Sequence, residues 1–161
     1  MYSTLKEERV LSIPTLHGID PEEKRKEIKA YFQHCYKRYE SLFRVVADEK
    51  AYFIKADPLR HPIIFYYGHT AVFFINKLKL AKIIDKRIDP EFESLFAVGV
   101  DEMSWDDLDE KHYEWPALQR VQAYRDEVYS VVEHLIERLP LELPITEDSP
   151  WWIILMGIEH E

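Results

Sequence analysis

Two histidines carry most of the chemistry this sequence offers. His69 lies in the middle of HPIIFYYGHTAVFFIN (61–76), the longest stretch without Lys, Arg, Asp or Glu, and His160 closes the apolar run WWIILMGI near the C-terminus. Neutral imidazole is a good ligand for Fe, Zn, Ni or Cu and a poor one for Ca or Mg. Inward histidines on facing helices are how bundles build metal sites. Taken alone, His69 reads first as a core imidazole satisfied by a hydroxyl or a carbonyl, and His160 says even less. The pair still needs a third ligand, which a helical metal motif places one turn on, four residues after His160 and past Glu161.

The other candidates are weaker. His134 beside Glu133 sits in a Glu- and Arg-rich context and reads as a solvated-face residue, while His17, His34, His61 and His112 fall in arm, helix-flank or loop settings. Cys35 falls on an apolar stripe, as a buried structural thiol does. In the segment DEMSWDDLDE (101–110) six of ten residues are acids, the pattern of a solvated loop. Its functional alternative is a cleft in which Asp101, Glu102, Asp106 and Asp107 attract a substrate ammonium group, with Trp105 as an apolar wall.

Whole classes of function drop out. The four glycines, at 18, 68, 99 and 157, are isolated, and there is no G-x-S-x-G or C-x-x-C, so phosphate loops, nucleoside-cofactor sites and serine-hydrolase elbows are excluded. A formal net charge of −9 is a poor match to nucleic acid. The uncharged stretch is too short and too polar to span a bilayer, which takes about 20 apolar residues. The single cysteine, with no basic segment leading into an apolar one at the N-terminus, points to a reducing, cytoplasmic compartment.

The elements that must position these side chains read as helices. The 161 residues make one domain with a sizeable core, 47% hydrophobic with 22 aromatics. Residues 1–19 lack a clean period and are expected to form an extended arm. Asp20-Pro21-Glu22-Glu23 is a capping-box arrangement, and Ile28, Tyr31, Phe32, Cys35, Tyr39, Leu42, Phe43 and Val46 follow at spacings of three and four. A helix from Pro21 to about Val46 is expected on that spacing. A second runs from Pro62 to about Ala81 and, apolar nearly all round in its first half, should be central. A short candidate spans 90–96, a third long helix runs from Leu118 to Leu139 before Pro140, and a fourth opens at Ser149-Pro150. That last helix has only about 12 residues, so the fold class is an all-α four-helix bundle over 20–161 with the fourth helix cut short.

Three strings carry a resemblance: LRHPIIFYYGHTA (59–71), AVGVDEMSWDD (97–107) and MGIEHE (156–161). They resemble the N-terminal part of the 5-histidylcysteine sulfoxide synthases of ovothiol biosynthesis, and the likeness runs from about Asp20 onward. It implies a DinB-like bundle at the front of a longer enzyme, ahead of a formylglycine-generating-enzyme-like domain. Such enzymes use nonhaem iron(II) and O2 to join the sulfur of cysteine to C5 of the histidine imidazole as a sulfoxide. Family iron is held by a histidine in a G-H-T segment of the second helix and two in an H-x-x-x-H-x-E motif on the fourth. His69 matches the first and His160 opens the second motif, whose later members would fall past Glu161.

The resemblance therefore implies Fe(II) at His69 and His160, O2 as co-substrate, histidine and cysteine as substrates of the whole enzyme, and an isolated chain that does not turn over. Asp101, Glu102, Trp105 and Asp106 are the weaker substrate contacts. Two rivals stand beside it: a freestanding DinB-like thiol transferase using Zn or Ni, and a non-enzymatic bundle whose short fourth helix leaves an apolar groove for a partner or a second copy.

Overall fold

The computed structural model describes residues 11–97 and 114–161. Among them are five α-helices, α1 (Pro21–Phe43), α2 (Ile63–Leu80), α3 (Pro90–Leu95), α4 (Leu118–Arg138) and α5 (Pro150–His160), a 3-10 helix at Glu49–Phe53, and no strand. The long helices make an all-α bundle, with α5, at 11 residues, about half the length of α1 or α4. None is long and apolar enough to cross a membrane.

Local chemistry sets the boundaries. Asp20 Oδ1 accepts from the backbone N–H of Glu22 and Glu23, Pro21 occupies the first turn, and Ser149 Oγ with Pro150 opens α5 in the same way. Only half of the expected capping box forms, because Glu23 turns to Lys26 at 2.8 Å. α1 stops at Phe43, earlier than the spacing predicts, where a turn closes from Val46 N–H to the Phe43 carbonyl and Asp48 caps the 3-10 helix. Within α1, Leu42 is exposed, off the expected apolar stripe, and Tyr36 is in the core. α2 ends in a Schellman arrangement: Lys82, at φ 57°, donates to the Lys79 carbonyl and Ile83 donates to Leu78.

α2 is the central element, packed on α4, α5, α3 and the 3-10 helix, while α1 covers α4 and α5. Ile64, Phe65, Ala71, Val72, Phe74, Ile75 and Leu78 of α2 are buried, so nearly its whole circumference is core. Ends are tied by side chains: Arg25 donates to the last α4 carbonyls, Ile136 and Leu139, and lies over the Trp151 ring. The segment before α1 joins at Leu16, whose carbonyl accepts from Ile145 N–H at 2.8 Å.

Inside this apolar bundle sits Arg125, 1% exposed. It bonds Glu40 of α1 at 2.5 Å, the Tyr67 carbonyl and Thr70 Oγ1 of α2 at 2.8 Å each, and Glu161 at the end of α5 at 2.5 Å. The rings of Tyr36, Tyr39 and Tyr67 stand 4.7 to 4.9 Å from its guanidinium carbon. Burial opposes its charge, but Glu161, Tyr36 and Glu40 more than offset that, so the guanidinium holds its proton even more firmly than usual.

Two measurements follow from the buried charge and its cage. Removing one partner of a buried ion pair costs about 3–5 kcal/mol, so Arg125→Ala should lose about that much in urea denaturation at neutral pH. Burial also raises the phenols of Tyr36 and Tyr67 and pushes Tyr39 up to about 12. The folded state therefore prefers neutral phenols, and their contribution is present below the ordinary tyrosine pKa and lost as pH climbs through about 12. Tyrosinate absorbance and helical circular dichroism should change together in an alkaline titration; free ionisation with helicity retained would contradict the burial.

Candidate metal centre

α2 carries His69 on its buried face, with 5% of the residue exposed. Its Nδ1 is 2.7 Å from the carbonyl oxygen of Phe96. A carbonyl only accepts, so Nδ1 holds the proton and donates, leaving Nε2 with a bare lone pair. That Nε2 is buried and has no hydrogen-bond partner. An unsatisfied buried acceptor costs about 1–3 kcal/mol. The same arrangement is how metal-ligating histidines are held: one nitrogen fixed by an acceptor, the other presented to the ion.

Phe96 reaches that position because α3 ends beside α2 at Gly68. A β-carbon at Gly68 would stand 2.4 Å from Phe96 Cε1, so only glycine admits the ring so close. The ring of Phe96 lies parallel to Phe65, which in turn stacks on His69 at 5.1 Å. The site is thus walled by aromatic faces on the interior side.

His160, on the last turn of α5, faces solvent on one side and lies flat on Phe73, with ring centroids 3.9 Å apart and planes 23° apart. Its centroid is 5.2 Å from that of His69, edge to face at 73°. Two imidazoles sharing one ion at about 2.1 Å from each nitrogen have ring centres roughly 4.6–5.3 Å apart for right-angled to tetrahedral bonding. The observed spacing falls in that range. Gly157 lets α5 in: a β-carbon there would meet Phe74 Cε1 at 2.2 Å.

Both sequence-predicted ligands are therefore brought together. Among the described residues no three His, Cys, Asp or Glu side chains are grouped to hold an ion, and the two histidines stand near each other as candidate ligands. Asp101, Glu102, Trp105, Asp106 and Asp107 lie outside the described residues, as does His112. His134 and His17 are exposed and Cys35 is half-buried, its thiol pushed up by burial.

Residues 31–161 match the DinB superfamily. The chain belongs to the DinB superfamily. No curated protein matches it. In this DinB-superfamily bundle, the sequence reading overlooked two features beside the pair. His61 is buried, its ring 4.1 Å from Phe65 and edge-on to Trp115, so that His61, Phe65, His69, Phe73 and Lys77 form one file at steps of four along and just before α2. That period was available in the sequence. The second is the Arg125 cluster, signalled only by a charged residue between Val121 and Val128 on the apolar stripe of α4.

Gly68→Ala tests the Phe96 contact. The added methyl should push Phe96 aside and cost about 1–3 kcal/mol. Nitrogen NMR should then show His69 passing from a single Nδ1–H tautomer to a mixture; retention of that tautomer would mean the carbonyl is not held by the Gly68 gap.

Proposed function

We propose that this bundle is the metal-binding domain of a nonhaem iron(II)- and O2-dependent 5-histidylcysteine sulfoxide synthase. The observation that carries the reading is the bare, buried Nε2 of His69 with the His160 ring 5.2 Å away. DinB-superfamily membership supports the bundle as a metal-binding scaffold, and the resemblance of the G-H-T and terminal segments supplies the reaction. In that reaction one O2 oxidises a cysteine thiol and a histidine C–H together: a C–S bond forms, one oxygen stays on sulfur, and the other leaves as water.

His69 and His160 would hold the iron, and the resemblance puts a third imidazole four residues after His160. Bound iron supplies O2 activation; the chain supplies placement and electrostatics. The Phe96 carbonyl holds the His69 Nδ1–H, which in the neutral ring leaves Nε2 as the ligating nitrogen. Phe65, Phe73 and Phe96 exclude water from the inner side. Substrates would approach from the solvent side of His160. The acids Asp101, Glu102 and Asp106, with Trp105, would steer the cysteine ammonium group, a role suited to a small amino-acid thiol donor. The downstream formylglycine-generating-enzyme-like domain would complete the substrate pocket.

Anaerobic Fe(II) titration of this chain and of the intact enzyme tests the reading. His69→Ala and His160→Ala should each weaken binding at least tenfold, and the isolated chain should form no sulfoxide from histidine and cysteine. Unchanged affinity in His69→Ala would remove it from the ligand set. Strong preference for Zn(II) or Ni(II), with thiol transfer by the chain alone, would favour a thiol transferase instead.

A further inference from the structure

Glu161 follows His160 and does something no ligand assignment requires. Its side chain is 1% exposed. One carboxylate oxygen takes a 2.5 Å bond from Arg125 NH2, and the other is buried without a partner. The pair with Arg125 therefore carries the compensation for burying this charge. Arg125 is itself fixed by Glu40, the Tyr67 carbonyl and Thr70, the residue next to His69. Both histidines thus have an immediate neighbour bound to one guanidinium: Thr70 beside His69 and Glu161 beside His160.

We propose that Glu161 is a positioning residue for His160. Its ion pair with Arg125 fixes the last turn of α5, and so sets where the imidazole stands against Phe73 and His69. The Glu161 N–H also reaches the Gly157 carbonyl at 3.1 Å, so the turn that carries His160 is closed. The link to metal rests on the reading above, whereas the placement of the ring does not.

The test uses this chain without metal and then with Co(II) as a spectroscopic probe. His160 protons lie over the Phe73 face and should be shifted upfield in the NMR spectrum of the metal-free protein. In Glu161→Ala that shift should collapse toward the value of an exposed histidine while His69 keeps its Nδ1–H tautomer on the Phe96 carbonyl. Glu40 still pairs with Arg125 in that variant, so far-ultraviolet circular dichroism should keep its helical signal. Co(II) affinity should fall by about 10- to 100-fold, as for losses outside the ligand sphere. Glu161→Gln, which keeps an oxygen for Arg125, should recover most of both effects.

An unshifted His160 signal in Glu161→Ala, or Co(II) affinity within twofold of the parent, would overturn the proposal. A parent chain that binds no Co(II) overturns the metal reading, and the ring-shift measurement then decides the placement of His160 by itself. Should Glu161→Ala lose its helical signal, Glu161→Gln decides: a parental His160 shift supports the anchoring contact, and a lost shift in a folded protein overturns it.

Discussion

A guanidinium cannot be left in an apolar interior without acceptors, and Arg125 collects them from every long helix. Glu40 on α1, the Tyr67 carbonyl and Thr70 on α2, and Glu161 at the end of α5 all converge on a side chain of α4. Hydrophobic burial is non-directional and would tolerate many rotations of these helices. The guanidinium fork is directional, with fixed donor angles, and it selects one arrangement. Three tyrosine rings close the remaining faces, so that the charge is surrounded by carboxylates and π-clouds rather than by aliphatic surface.

The candidate metal centre follows the opposite logic on the neighbouring turn. Where each nitrogen of Arg125 has an acceptor, His69 has one nitrogen tied to Phe96 and the other held bare. A buried polar atom without a partner calls for an explanation, and beside a second imidazole a bound ion is the one its chemistry suits. The two devices share α2: Thr70 turns toward the guanidinium while His69, one residue earlier, turns toward α3 and α5. A single helix therefore transmits the placement of the buried charge to the imidazole pair.

Much of this was legible in the chain. The caps at Asp20 and Ser149, the apolar α2 and the break at Pro140 all announce themselves through proline, hydroxyl and periodicity signals, because each depends on neighbours within a turn or two. The His69–His160 pairing, across 91 positions, rests instead on the place of each histidine on an apolar helix and on the family resemblance. What escaped depends on partners far along the sequence. Glu40 and Arg125 are 85 positions apart, and nothing local distinguishes them from surface charges. The end of α2, expected near Ala81, falls at Leu80, although its left-handed residue is Lys82, where glycine is the usual signal. The early stop of α1 at Phe43 hangs on the turn that closes from Val46 to Phe43, which apolar spacing does not record.

The missing β-carbon of Gly157 works as an index mark between α5 and α2. Phe74 fills that gap, and the flanking residues, Met156 and Ile158, carry side chains that could not admit the ring so closely. A helix sliding by one residue advances about 1.5 Å and turns by about 100°. Such a slip would carry His160 off Phe73 and swing it away from His69 altogether. Translation of α5 along α2 is therefore quantised rather than graded, and the distance between the two imidazoles is inherited from a notch one helical turn away.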